Sequence, residues 1–179
     1  MASIKIMATM LIVLCMFSGS VAYAISEKDF QTVGRKYGVS PYLLQAISQF
    51  ESQHGELLGE YVVCDVVDDT QLKYLKKIAK HTGRLLCEFT GSPAGAMGLM
   101  QMVPSTFYEH AQDGDGDGIK DPLNPYDSLA TAAYFIARTI AAQGNVRAAL
   151  KKYNNSEVYC QKVLTASRKL EAESQLAAR

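Results

Sequence analysis

The 179-residue chain has no excess of either charge, since 18 Lys and Arg stand against 18 Asp and Glu. That balance excludes the dense basic surface of a nucleic-acid binder and a strongly cationic wall-binding tail. Histidine is scarce, with three residues, and cysteine nearly so, with four; neither type stands at the spacing of a zinc site. His54, His81 and His110 are read as surface or packing residues. There is no internal repeat and no low-complexity linker, which argues for one compact domain. Long apolar runs are also missing. The run that exists, Ile6 to Phe17, follows Lys5 and precedes Ala22-Tyr23-Ala24, and it is too short to span a bilayer comfortably. Leu14 before Cys15 argues against a lipoprotein site. Residues 1–24 therefore read as a cleaved export signal, and 25–179 as the mature domain without a transmembrane segment.

What is present centres on Ser40 to Glu51, SPYLLQAISQFE. Ser40 can cap a helix, and Pro41 suits its first position. At about 100° per residue, Leu43, Leu44, Ile47 and Phe50 form one buried stripe, and Glu51 projects from that same side. A carboxyl on a core-facing stripe resists ionisation and suits a general acid for glycosidic cleavage. The alternative is a Glu near a helix end whose carboxylate reaches back to water.

Around this helix the pattern is mostly helical. Ser26 to Tyr37 forms one helix, closed by Gly38. YVVCDVV has strand-like content, as a short hairpin arm or an extended loop. Asp69 or Thr70 then caps the basic amphipathic QLKYLKKIAKH, whose lysines form a solvated face or meet an anionic polymer. In an oxidising compartment Cys64 and Cys87 are expected to pair, leaving Cys160 free, so that 56–88 becomes a disulfide-stapled insertion. GSPAGAMGLMQMVPSTF is rich in small residues, which implies close backbone approach or chain running tightly beside a ligand. Met97, Met100 and Met102 are read as core filler. Helices are also expected over Pro104 to His110, Asp127 to Ala142, after Asn145, and from Ser156 to about Leu170, with a frayed tail.

The segment DGDGDGIKDPLN places Asp113, Asp115 and Asp117 with Gly118 at positions 1, 3, 5 and 6 of an EF-hand loop. Ile119 offers its carbonyl at position 7, Asp121 stands at position 9, and Asn124 replaces the bidentate Glu at position 12. A structural Ca2+ site weaker than a standard loop is expected; an ion-free acidic turn is the alternative. Asp127 is read as a helix cap.

Taken in order, QFES, GSPAGAMGLMQMVPSTF, DGDGDG and YNN resemble the lytic transglycosylases that cut bacterial peptidoglycan, with features of the soluble and membrane-bound B-type groups. The resemblance covers roughly Val33 to Val163 outside 56–88. It implies a mainly α, lysozyme-like transglycosylase domain without an organic cofactor, acting in the periplasm or cell envelope. By that resemblance the catalytic acid/base falls on Glu51, and substrate-binding residues on Ser92, Gln101, Tyr153 and Asn154. It implies cleavage between MurNAc and GlcNAc with a 1,6-anhydro product, peptidoglycan strands as partner, and an accessory role beside a secretion or conjugation apparatus. A goose-type lysozyme would need a second carboxylate, for which Glu56, Asp65 and Glu88 are the candidates. A non-catalytic wall-binding scaffold is the third reading.

Overall fold

A computed structural model describes residues 25–178. The export-signal reading of residues 1–24 lies outside the described residues. Among the described residues eight α-helices follow in order: α1 Glu27–Tyr37, α2 Pro41–Ser52, α3 Val63–Val66, α4 Asp69–Thr82, α5 Pro104–His110, α6 Pro125–Gln143, α7 Val146–Tyr153 and α8 Glu157–Ala177. Two short strands, β1 Tyr61–Val62 and β2 Thr90–Gly91, pair antiparallel. Among the described residues, no helix is long and apolar enough to cross a membrane.

Most helix starts are written locally. Ser26 caps α1 in a reciprocal box with Asp29. Ser40 caps α2 with Pro41 just inside it, and Asn145 and Ser156 cap α7 and α8. Two caps differ from expectation: Asp68, one residue earlier, caps α4, and Asn124 rather than Asp127 caps α6.

α2 is the centre of the core. Leu43, Leu44 and Ile47 are buried on it, packed among α1, α6 and α8. Each such side chain contributes about 1.5–3 kcal/mol by leaving water. Phe50 does not continue the stripe: it is 44% exposed. The chain turns left-handed at Gln53 and His54 directly after α2, so no core remains for Phe50 to face. α8 runs past Leu170 to Ala177, because its last turns pack beside α2, where the Tyr42 hydroxyl donates to Ser174 Oγ at 2.9 Å.

The insertion is held without a covalent staple. Cys64 and Cys87 are free thiols, as is the fully buried Cys160, which corrects the expected disulfide. The Cys64 thiol instead faces the Asp65 carboxylate at 3.5 Å. What closes the segment is the β1–β2 pairing, the Val63 N–H donated to Phe89 O at 2.9 Å, and complete burial of Val63 and Phe89. Of YVVCDVV, two residues are strand, and the chain then coils into α3.

The glycine-rich stretch is a set of close backbone approaches. Gly98 has φ +69, and a Cβ there would lie 1.9 Å from the Pro122 carbonyl oxygen. Met97, Met100 and Met102 are buried core residues, as expected. α6 presents Ser128 beneath them, its Oγ accepting the Met100 N–H at 3.0 Å.

Candidate active site

Glu51 stands one residue before the end of α2, half-buried, on the wall of a cavity of about 340 Å³ shared with Gln49, Phe50, Ser52, Gln53 and Leu57. Its position is fixed from behind. Ser52 is buried, donates to Leu99 O at 2.7 Å and accepts the Gly55 N–H at 2.9 Å, so the helix end is pinned to the glycine-rich stretch. Burial raises the Glu51 pKa above the usual carboxylate range, and the Tyr159 hydroxyl pulls it partly back.

Two tyrosines answer the acid. The Tyr159 hydroxyl is buried, and the Glu51 carboxyl within its electrostatic reach lies short of full hydrogen-bonding geometry. Tyr153 donates its hydroxyl to Met100 O. Burial first, and then the Glu51 charge, raise both phenols well above their usual range. Tyr159 carried no signal of its own in the sequence. It lies three residues past the Ser156 cap, on the first turn of α8, and only the packing of α8 against α2 aims it at Glu51.

The structure brings Gln101 and Tyr153 together on a smaller cavity with Val103, Thr106, Phe135 and Lys152. Gln101 has φ +46, and its amide donates to Leu58 O at 3.1 Å and Gly98 O at 3.0 Å. Ser92 sits at the turn before this stretch, its Oγ accepting the N–H groups of Ala94 and Ala96 at 3.3 and 3.1 Å. Asn154 is exposed and ends α7, its backbone N–H donating to Leu150 O.

In the acidic loop the carboxylates that converge are Asp113, Asp115 and Asp127, with one oxygen of each within 4.8 Å of the others. Asp127 is buried, and accepts the Gly114 N–H at 2.6 Å and the Asp121 N–H at 2.8 Å. Burial pushes its pKa up to about 6 against the pull of those two amides, and the charges of Asp115 and Asp113 add to the rise. Asp113 is also pushed up by burial, but amides led by Gly116 and Gly118 outweigh this and hold it low. Asp117 accepts the Ile119 N–H at 2.7 Å, and both residues are exposed outside the converging group. Asp121 is paired with Arg84 at 2.6 Å. Asn124 caps α6 and donates to Asp115 at 2.7 Å. Three converging all-oxygen donors, one of them buried and crowded by like charge, fit a hard divalent cation such as calcium.

Residues 15–146 match the transglycosylase SLT domain family. The membrane-bound lytic murein transglycosylase B of Escherichia coli (strain K12) is 29% identical over 134 residues, which are 67% of this chain; the chain spans 37% of that relative's length. Solved structures share the fold, among them the following two. The E. coli lytic transglycosylase Slt35 in complex with calcium superposes with TM-score 0.73 at 17% identity, over 82% of this chain and 71% of that one. SltB3 from Pseudomonas aeruginosa, in complex with NAG-anhNAM-pentapeptide, superposes with TM-score 0.71 at 21% identity, over 80% and 60%.

Proposed function

The chain belongs to the transglycosylase SLT domain family, and from that membership we propose that it is a peptidoglycan lytic transglycosylase with Glu51 as its single acid/base. The observation that carries the reading is the placement of Glu51. Burial raises its pKa, and among the described residues no second acid lines its cavity. Glu56 and Glu88 line a different cavity, and Asp65 is exposed beside Cys64. One carboxyl is enough only if the nucleophile belongs to the substrate, whereas hydrolysis needs a second group to activate water.

Protonated Glu51 gives its proton to the GlcNAc O4 as the bond to MurNAc C1 breaks. The resulting carboxylate takes the proton of the MurNAc C6 hydroxyl, and O6 closes on C1. The product is a 1,6-anhydro end, and Glu51 finishes protonated with no water consumed. The Tyr159 hydroxyl faces the carboxylate during its charged interval, and Tyr153 lies within reach of the same charge from the neighbouring cavity. Ser92, Gln101 and Asn154 are assigned to the sugars and Lys152 to the mouth of the cleft. Asp113, Asp115 and Asp127 would hold calcium, which supplies a structural clamp between the acidic loop and the start of α6. With residues 1–24 as leader, the enzyme would work in the bacterial cell envelope, where opening the wall for a secretion or conjugation apparatus is the accessory role in keeping with this chemistry.

Mass spectrometry of the products from purified glycan tests the reading. Transglycosylase ends lie one water below reducing ends. Reducing ends alone would mean a lysozyme, and intact strands a scaffold.

A further inference from the structure

Four lysines on α4 have no place in the site described above. Lys73, Lys76, Lys77 and Lys80 are all exposed and recur at helical spacing, so they form one stripe. The opposite face carries Leu75 and Ile78, both buried. Among the described residues none of the four lysines is in an ion pair. Lys73 and Lys77, and Lys76 and Lys80, stand four apart, an arrangement in which like charges destabilise a helix. Of the acids nearby, Asp68 caps the helix, Glu109 accepts the Tyr74 hydroxyl at 2.8 Å, and Asp69, exposed and four residues before Lys73, makes no ion pair with it. Among the described residues no ion pair offsets this repulsion.

One of the ammonium groups is also held in place. Lys77 Nζ lies 5.0 Å from the ring centroids of both Tyr74 and Tyr108, rings that are 5.6 Å apart. This is a cation fixed on an aromatic shelf at the surface. α5 then connects the stripe to the cleft. Gln71 of α4 exchanges two hydrogen bonds with Ser105, each 2.9 Å, while the adjacent Thr106 lines the cavity of Gln101, Lys152 and Tyr153.

We propose that the lysine face of α4 is a second docking surface for the polymer, taking the carboxylate-bearing peptide stems of peptidoglycan. The inference rests on the transglycosylase reading for the identity of that polymer. Lysine ammonium groups on long flexible stems suit carboxylates scattered along a mobile chain, where the rigid fork of arginine would select one planar geometry. A bilayer is the poorer fit, because the apolar side of α4 is packed into the core and has nothing to insert. The surface raises the local concentration of strand at the cleft and leaves the chemistry at Glu51 alone.

The test compares Glu51→Gln with and without K73Q/K76Q/K77Q/K80Q in co-sedimentation with insoluble peptidoglycan, intact or stripped of its stems by an amidase. Removing the four charges should weaken binding to stem-bearing wall by about tenfold at low salt, and high salt should abolish the difference. Binding to stripped glycan should be equal for the two proteins. In the Glu51 background, turnover of a short stem-free glycan should be unchanged by the four substitutions, which also reports that the variant folds. Equal binding to intact wall, or an equal loss on stripped glycan, would overturn the proposal. So would lysine-dependent binding to phosphatidylglycerol vesicles without any to wall. Anhydro products with lysine-independent binding would sink this inference alone. Lysine- and stem-dependent binding without anhydro products would support it and sink the catalytic reading.

Discussion

Ser52 reaches across 47 residues to Leu99: its hydroxyl, fully inside the protein, donates to the Leu99 carbonyl oxygen at 2.7 Å while accepting the Gly55 N–H. The residue after the proposed acid is therefore the nail that fixes α2 to the glycine-rich stretch. Ser52→Ala leaves the buried Leu99 carbonyl without this partner, which costs about 1–3 kcal/mol, and frees the half-buried Gly55 N–H. A urea midpoint shift of that order is expected, together with reduced turnover because Glu51 loses its anchor. An unchanged midpoint would show that the bond carries no load.

Glu51→Gln should lower activity by about 10²–10⁴-fold, because the amide neither gives nor takes a proton at working pH. Its effect on stability should depend on pH. The folded-state pKa of Glu51 is raised, so its favourable contribution is full below the ordinary glutamate range and is lost as pH rises through the raised value. The Gln variant should therefore gain on wild type as pH rises from the ordinary glutamate range through the raised value. A stability difference flat with pH would contradict the buried-acid assignment.

Tyr159→Phe removes the group that lowers the Glu51 pKa. The alkaline limb of the rate profile, where the acid loses its proton, should move to higher pH, with turnover reduced. A limb that stays in place while only the rate falls would make Tyr159 a packing residue.

These two tyrosines show where reading from sequence stops. Ser40, Pro41 and the Leu43–Leu44–Ile47 stripe were legible because capping and periodicity are local. Tyr153 came with its motif. Tyr159 could not be chosen among ten tyrosines, because its role depends on which face of α8 meets α2. Phe50 obeyed the same period as its neighbours, yet the left-handed turn that follows removes the core it would have entered. Cys64 and Cys87 bracket their segment as expected, but the pairing of backbone and core already closes it.

Calcium should raise the melting temperature of a metal-stripped sample, because a ligand bound only to the native state stabilises it by mass action. Asp127→Asn and Asp115→Ala should abolish the shift. Asn124→Ala should lower stability by about 0.5–2 kcal/mol through the lost α6 cap and keep a calcium response. From sequence Asp127 reads as a helix cap, because it stands beyond the loop pattern. It arrives only when the chain folds back, so that Gly114 and Asp121 donate to it together. A calcium shift that survives Asp127→Asn would remove this residue from the site.

Alkylation of the folded protein should modify Cys87 and, more slowly, Cys64, whose thiol pKa is raised by burial and by Asp65. Cys160 should react only on unfolding. A Cys64–Cys87 crosslink in non-reducing peptide maps would contradict the free thiols.

The β1–β2 ladder has a consequence for how this chain can diversify. Tyr61 faces Gly91 and Val62 faces Thr90, so the chain leaves the main body and returns to it at a single doorway. A segment whose ends meet is an exchangeable cassette, and its internal length can change without moving the walls on either side. The limits are set by Val63 and Phe89 and by Leu75 and Ile78 of α4, which belong to the shared core and must stay. Between them, lineages could rewrite the exposed face of α4 and the loops beside it and so retune which polymer decorations are held, while the acid and its pocket are inherited unaltered.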